Sequence, residues 1–425
     1  MKNAILTLFV ILVPLEKLST YIDWPLSLTL KAYFIIIPIL FFVALFSIYT
    51  SSHHKYVWLL ISLCASVVVS QFLSTILAAD TSSMGSLLFR AYSLLIFLTM
   101  IIIVRDEKDV ESVLKGLFIA GVISALYGYV QLIQYYLGYN TSFFLEEWIF
   151  NPERLSYAST TAIPVEGGLP RPTGFNYDPN LYAVVLLIGM VSGYALRYSK
   201  NQVFWLSGTL FMLIPFVMTL SRMAYIIAVM IYLVSVLLRT KNTKIRLTDP
   251  VVVFMLFVAV FVFWDAIYNR FFGVGELSTS YHLLFGKAAI MLGLENPYIG
   301  HGVGSFETVF LNSKYNPGLA RANAHSLPLN IFFEGGIIGL ICYTALLAFI
   351  VTLLTTIVSH GMKCYDESRY IVVPMGILAL ALLGHNLVNN YFYVEFFSMF
   401  LGASVGIAIL YMRPTSLMTV YQQKI

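Results

Sequence analysis

The chain is poor in charged residues and in cysteine. Charged residues make up 11% of its 425 residues, whereas a soluble globular domain carries about 25%. This deficit excludes an ordinary cytosolic enzyme, a disordered protein and a nucleic-acid-binding module. The three cysteines, Cys64, Cys342 and Cys364, are too few and too scattered to indicate a disulfide framework.

The sequence also lacks the common signatures of metal and cofactor binding. No His and Cys cluster has the spacing of metal ligands, and no DxD-like pair lies in a predicted outer loop, so we expect no metal site. No Walker motif and no dinucleotide fingerprint occurs, which argues against ATP hydrolysis and redox chemistry. The sequence therefore predicts no cofactor.

Hydrophobic residues are abundant, at 59% of 425 residues, or about 250. Twelve membrane-spanning helices of roughly 20 residues each need about 240. Apolar runs of suitable length lie at 4–15, 27–48, 57–78, 86–104, 113–137, 180–196, 203–220, 223–238, 250–267, 329–358, 370–390 and 395–412. Because backbone polar groups must be satisfied inside the bilayer, each run is predicted to be a helix. The sequence thus predicts an all-α polytopic membrane protein with about 12 transmembrane helices, in a single integral membrane domain over residues 1–425.

The distribution of Lys and Arg predicts the orientation of the chain. Cytoplasmic loops carry an excess of these residues. Here the basic residues occupy alternate linkers, with Lys55, Arg105, Lys108, Lys115, Arg197, Lys200, Arg239, Lys241, Lys244, Arg246, Lys363 and Arg369. The short linkers on the other side, around 23–26, 80–85 and 391–394, carry none. Both termini are therefore predicted to be cytoplasmic.

Two long linkers, 138–179 and 268–328, fall on the opposite, outer face. Long connections usually carry function, so we expect any chemistry on that face. The second loop is predicted to contain short helices, because Tyr281 to Leu294 is apolar enough to lie at the membrane surface.

Arg222 is the first candidate site residue, since it lies between two apolar runs at their outer ends. It has two interpretations: a side chain that snorkels to the interface, or a cation that binds an anionic lipid head group. Arg suits the second task because its planar fork can hold a phosphate bidentately. Arg171 precedes Asp178 and Asn180 at the end of the first loop and is placed on the same side as Arg222. Either Asp178 or Asn180 is a candidate cap for the following helix, and capping alone is the more frequent explanation of such an Asp.

The second outer loop holds His325, a candidate acid–base group because it lies at the membrane edge near several Arg residues. The Gly-rich segment 300–304 is weak evidence by itself and usually means a tight bend. Acidic residues such as Glu276 and Glu295 are alternative partners for the cations. The positive side chains of the outer loops suit a diphosphate; they are Arg154, Arg171, Arg222, Arg270, Lys287, Lys314 and Arg321, beside His282 and His325.

Polar residues also occur within the predicted spans. Arg90, His385, Asn386, Asn389 and Asn390 could mark a transport path. Hydrogen bonding between helices is an equally good account of the Asn cluster.

In their order along the chain, these features resemble the O-antigen ligase and O-antigen polymerase family of bacterial surface-polysaccharide assembly. The similarity covers about residues 170–345 and rests on the combination of several motifs, not on any one of them. The motifs are Thr219-Leu-Ser-Arg222, Leu294-Glu-Asn-Pro297, Gly300-x-Gly302-x-Gly304-Ser-Phe306, Ala324-His325-Ser and Glu334-x-Gly336-Ile-Ile-Gly339.

The resemblance implies a C-type membrane glycosyltransferase that inverts the anomeric centre and needs neither a metal nor a nucleotide sugar. Its donor would be a glycan on undecaprenyl diphosphate, and its acceptor a glycan or a lipid A-core. Arg222 would bind the diphosphate, and His325 would activate the acceptor hydroxyl or contact the donor phosphate. Such an enzyme lies in the bacterial inner membrane among membrane lipids, with its active site on the periplasmic face. A chain-length regulator is a further candidate partner, and no nucleic acid is expected.

The chain departs from the family pattern at His282, where the family commonly has Arg. Phe285 lies near the usual Trp, and Ser326 replaces a common Asn. Either His282 takes over a phosphate contact, or one of Arg270, Lys287 and Arg321 does.

Polymerase and ligase share this architecture. The segment from Arg171 to Asn180 looks more like that of exopolysaccharide polymerases, so polymerase is narrowly favoured. A lipid-linked glycan flippase is less favoured, because the charges cluster on one face and no repeated halves are visible. A noncatalytic scaffold in a polysaccharide complex is the third interpretation.

Overall fold

The computed structural model describes residues 2–14, 19–22, 28–31, 37–38, 40–41, 54–78, 84–138, 164–166, 169–176, 178–196, 201–237, 275–319, 324–363, 369–387 and 392–412. The predicted span 250–267, together with Arg154, Arg270 and Arg321, lies outside these residues. The chain divides into two compact units. The first unit is formed by 1–36, 106–275 and 361–378, and the second by 37–105, 276–360 and 379–425.

The described residues are mainly helical. In chain order the elements are α1 (Lys2–Leu12), β1 (Ser19–Ile22), β2 (Leu28–Lys31), α2 (His54–Leu77), α3 (Met84–Ile103), α4 (Glu107–Tyr136), β3 (Val165–Glu166), β4 (Leu169–Pro170), α5 (Pro179–Leu196), α6 (Gln202–Met218), α7 (Arg222–Leu237), α8 (Gly275–Gly293), α9 (Phe306–Leu311), α10 (Leu327–Lys363), α11 (Arg369–His385) and α12 (Glu395–Tyr411).

Five of the described helices are long and apolar enough to cross a membrane, by length and composition. They lie at 55–77, 84–103, 107–136, 179–196 and 327–362, and the shorter helices α1, α6, α7, α11 and α12 are also apolar. The prediction of a polytopic helical membrane protein is thus confirmed. The number of twelve spans and the orientation stay predictions.

One predicted span is wrong over part of its length. The run 27–48 was expected to be helical from its start, but Leu28–Lys31 forms β2, which pairs antiparallel with β1. The register runs from Ser19 opposite Lys31 to Ile22 opposite Leu28. Thr20, Tyr21 and Ile22 of β1 and Thr29 of β2 favour an extended backbone.

Small residues let helices of the first unit approach closely. A Cβ at Gly121 of α4 would lie 3.0 Å from the Cα of Gly189 in α5, so the two backbones touch there. Small residues at such contacts are typical of helices packed within a membrane. Tyr182 of α5 is fully buried, and its hydroxyl donates to the carbonyl of Ser124 in α4 over 3.0 Å. The close packing of α4 and α5 therefore fixes the start of α5 and the residues that precede it.

In the second unit, α10 contains a break. Gly336 has φ 61° and ψ −162°, which is not helical, and it separates the short segment that follows His325 from the long apolar remainder of α10. In the stretch 268–328, for which the sequence predicts short helices, the structure has the 19-residue α8 and the 6-residue α9.

Candidate functional site

In the first unit, the segment before α5 is held by a buried glutamine of α4. The side-chain oxygen of Gln131 accepts hydrogen bonds from the backbone of Thr173, over 3.0 Å, and of Gly174, over 2.9 Å. Asp178 then caps α5, because its carboxylate accepts from the backbone N–H of Asn180 over 2.8 Å. The predicted cap is confirmed, and this capping accounts for the position of Asp178.

Arg171 contacts the turn that leads to Arg222. Its Nε donates to the carbonyl of Thr219 over 2.8 Å, and its Nη2 lies 3.4 Å from Oδ1 of Asn180. The turn joins α6 and α7 and contains Leu220 with φ 51°, a left-handed conformation that is uncommon for leucine. Arg171 is 8% exposed, so its guanidinium is mostly committed to holding this turn.

Arg222 is the first residue of α7 and is half-buried. The N-terminal end of a helix carries a partial positive charge and unpaired backbone N–H groups. A guanidinium at this position therefore adds to a field that favours an anion. The structure brings Arg171 and Arg222 to the same turn, as their predicted placement on one side required.

In the second unit, His282 of α8 and His325 lie side by side. Their ring centroids are 4.2 Å apart, with an angle of 50° between the planes, and both side chains are half-buried. Phe285, one turn further along α8, lies 5.9 Å from the ring of His325. The structure thus brings together the candidate acid–base group and the residue at the family's usual Arg position. Lys287 of the same helix is exposed.

The Gly-rich loop of residues 300–304, called here the glycine loop, is docked against the break in α10. The backbone N–H of His301 donates to the carbonyl of Phe333 over 3.0 Å, and that of Gly302 to the carbonyl of Glu334 over 3.0 Å. In return, the N–H of Ile337 donates to the carbonyl of Pro297 over 2.8 Å. The proline-glycine motif (Pro297 to Gly304) and the E-x-G motif (Glu334-x-Gly336) therefore dock against each other through their backbones.

Glycine is needed on both sides of this contact. Gly300 has φ 73°, and a Cβ there would lie 2.6 Å from the nitrogen of Gly335. Gly336 has φ 61°, and a Cβ there would lie 2.5 Å from the nitrogen of Ile299. A larger residue at either position would both strain the backbone and push the two segments apart.

The amide groups of the glycine loop are occupied within the protein. The N–H of Gly304 donates to Oε1 of Glu334 over 2.8 Å, and the N–H of Gly302 is shared with Oγ of Ser74 over 3.2 Å. A loop that binds phosphate needs such donors free to face its ligand. The interpretation as a tight bend is therefore favoured over a phosphate cradle.

Glu334 is also paired with Arg90 of α3. Nη2 of Arg90 donates to Oε1 of Glu334 over 2.7 Å, and Nη1 of Arg90 pairs with Oε2. The two residues are 7% and 2% exposed, so this is a buried, bidentate ion pair. Arg90 and Glu334 were each noted in the sequence, but 244 positions separate them and nothing in the sequence paired them.

The aromatic ring of Tyr393 covers the guanidinium of Arg90, 4.6 Å from its centroid. Nε2 of Gln71 in α2 donates to the Tyr393 hydroxyl over 2.9 Å. Burial raises the pKa of the Tyr393 phenol to about 12, so the hydroxyl is neutral at physiological pH. The charge of Arg90 is thus compensated by the carboxylate of Glu334 and by the face of a neutral ring.

The polar residues at the end of α11 have local hydrogen bonds. The backbone N–H of Leu327, two residues after His325, donates to the carbonyl of Asn386 over 3.1 Å. The side chain of Asn386 donates to the carbonyl of Leu382 over 2.8 Å. These contacts favour hydrogen bonding over a transport path for Asn386, while Asn389 and Asn390 lie outside the described residues. Among the described residues, no group of three or more His, Cys, Asp and Glu side chains is placed to hold a metal ion.

The described residues define a polytopic helical membrane protein. Residues 207–344 match the sequence model of the O-antigen ligase family. The match confirms the resemblance to the O-antigen ligase and polymerase family that the motifs predict, and it includes Arg222, His282 and His325. Arg90 and Arg171 lie outside it. None of the curated proteins matches the chain significantly.

Proposed function

We propose that the protein is a metal-independent, inverting glycosyltransferase that moves a glycan from undecaprenyl diphosphate to an acceptor sugar hydroxyl. The family match supports the coarser statement, a membrane enzyme of the glycosyltransferase type that uses lipid-linked glycans. The contact between His282 and His325 supports the more specific proposal. It places His282 beside the proposed catalytic histidine, where it can make the phosphate contact that the family's Arg would otherwise make.

In this reaction the bond between the anomeric carbon and the diphosphate oxygen breaks, and a bond to the acceptor oxygen forms. His325 accepts the proton of the acceptor hydroxyl as general base. Arg222 binds the diphosphate and stabilises the negative charge that develops as it leaves. Arg171 holds the turn before Arg222 through its bond to Thr219. His282 contacts a donor phosphate, and Arg270, Lys287 and Arg321 are further candidates for that contact.

The proposed location is the bacterial inner membrane, with the chemistry on the periplasmic face. The Lys and Arg distribution supports this orientation. The basic linkers are predicted to be cytoplasmic, and the candidate site residues belong to the linkers predicted on the opposite side. The donor and the membrane lipids are the proposed partners, and a chain-length regulator is a further one.

Purified protein incubated with a synthetic lipid-linked repeat unit tests this proposal. Growth of the glycan together with release of undecaprenyl diphosphate supports a transferase. Movement of intact lipid across liposomes, with no bond made, would instead support the flippase. A scaffold would do neither.

We favour polymerase over ligase because the segment from Arg171 to Asn180 resembles that of exopolysaccharide polymerases. The two activities differ in the acceptor, which is another lipid-linked repeat or a lipid A-core. Deletion of the gene distinguishes them. Single-repeat glycans in the mutant indicate a polymerase, and long chains left on the carrier lipid indicate a ligase.

A further inference from the structure

We infer that Arg90 is a positioning residue of the proposed enzyme: its ion pair with Glu334 fixes the glycine loop and, through it, the ring of His325. This inference rests on the proposed function. Arg90 belongs to α3, more than a hundred positions before the first residue of the family match. Its side chain contacts Glu334 and the ring of Tyr393, so an effect on His325 passes through other residues.

The first step is that Glu334 is fully engaged. Its Oε1 accepts from Gly304 over 2.8 Å and from Arg90 over 2.7 Å, and its Oε2 pairs with Arg90. A carboxylate with both oxygens committed is poorly suited to accept a proton from a substrate. Glu334 therefore acts on the glycine loop and not on the reacting atoms.

The second step is that this ion pair supports a specific geometry. A buried ion pair repays the loss of hydration only when further hydrogen bonds complete it. Here the additional donor is the backbone of Gly304, and the carbonyl of Glu334 also accepts from Oγ of Ser74 and from the N–H of Gly302. Removing Arg90 leaves a buried carboxylate bonded only to the loop, so the loop has to move or the carboxylate has to be hydrated.

The third step connects the glycine loop to His325 through aromatic rings. Phe306 lies two residues after the loop, and its ring centroid lies 5.2 Å from that of Phe333 and 6.4 Å from that of Phe285. The ring of Phe285 lies 5.9 Å from His325. A shift of the glycine loop moves Phe306, and the close packing of this cluster passes the shift to the histidine.

The same contacts argue against a transport role for Arg90. A charged residue on an ion path faces water or exchanges partners. Arg90 is instead buried, bidentate to Glu334 and covered by the ring of Tyr393.

The experiment compares Arg90→Met and Arg90→Lys with the natural protein, each purified in full length. Two readouts are needed: hydrogen–deuterium exchange of the peptide covering 297–306, and transfer kinetics with the lipid-linked repeat over a range of pH. Lys115→Met is the matched control, because it breaks an exposed ion pair with Glu111, whose bond is 2.7 Å long.

We expect Arg90→Met to raise amide exchange at Gly302 and Gly304 by about tenfold or more. The turnover number should fall by about tenfold or more, KM for the donor should change by less than about threefold, and the pH–rate profile should be displaced. Arg90→Lys keeps the charge but loses the fork, so it should restore part of both losses. Lys115→Met should change neither.

The outcomes separate this inference from the function on which it rests. If the natural protein transfers no glycan but Arg90→Met still loosens the loop, the enzyme proposal fails and the loop clamp stands. If the natural protein is active and both Arg90 variants keep its exchange, turnover number and pH profile, the positioning role is wrong. If Arg90→Met does not fold, Arg90→Lys decides. Reduced stability of Arg90→Lys, with the pH–rate profile and the ratio of KM to turnover number both as in the natural protein, means a structural role only. That result overturns the inference.

Discussion

The rings of His282 and His325 contact each other with their centroids 4.2 Å apart, although 43 positions of sequence separate the two residues. One ring belongs to α8, and the other comes directly before α10. Phe285 packs near His325 and helps to fix its orientation. The tasks proposed for the two histidines differ: His325 is the proposed proton acceptor, and His282 is the proposed phosphate contact.

The first prediction concerns His325. His325→Ala removes the proposed general base, so the transfer rate should fall by about 100-fold or more while the protein still folds. The measurement is chain growth on a synthetic lipid-linked repeat, with size-exclusion chromatography to verify the fold. His360→Ala, far along α10, is the control and should keep the rate. Full activity of His325→Ala in folded protein would remove the residue from the mechanism.

The second prediction concerns His282. If this ring contacts a donor phosphate, His282→Ala should raise KM for the lipid-linked donor by about tenfold. His282→Arg introduces the residue that the family commonly carries and should keep or improve donor binding. The pair of variants is informative because a purely structural ring would tolerate neither change. Equal loss of stability in both, with unchanged KM, would assign the histidine to packing.

The third prediction separates Arg222 from Arg171. Arg222→Ala should abolish transfer with little change in thermal stability. The side chain is only half-buried, and Arg222 is the first residue of α7, so the substitution leaves the helix backbone intact. Arg222→Lys should recover only part of the activity, since an ammonium group cannot hold a phosphate bidentately.

Arg171→Met should act first on stability. It loses the 2.8 Å bond to the carbonyl of Thr219 and leaves that turn unsupported, at a cost of about 1.5–3 kcal/mol. Thermal unfolding in detergent measures both arginines on one scale. The assignment fails if Arg222→Ala destabilises the protein as much as Arg171→Met does.

The sequence predicted the described helices well, because apolar runs of membrane length have few alternatives to helix. It failed at Leu28–Lys31, which forms a strand paired with Ser19–Ile22. Hydrophobicity alone does not distinguish a short strand from the start of a helix. The signal that could have revealed the hairpin lies in β1, whose Thr, Tyr and Ile favour a strand, while Leu28–Lys31 has only Thr29 of this kind.

The candidate site was predicted residue by residue, and its pairings were not. His282 and His325 were both named, but their contact depends on how α8 and α10 pack, which a single sequence does not encode locally. The ion pair of Arg90 with Glu334 is the clearest case, because Arg90 looked like a lone charge within a span. The rule that buried charges are paired predicts a partner for it, without saying which one.

The last prediction uses two neighbouring glycines as a matched pair. Gly336→Ala places a methyl group against the backbone of Ile299 at a position with φ 61°, so it should lower the free energy of unfolding by about 2 kcal/mol or more. Gly335 has no other atom within 4 Å of an added Cβ and no positive φ. Gly335→Ala should therefore be neutral or stabilise by up to about 1 kcal/mol. Thermal unfolding of the two variants, with exchange at residues 297–306 as a second readout, checks this. Equal stability would mean that the docking of the glycine loop on the E-x-G motif contributes little to the fold.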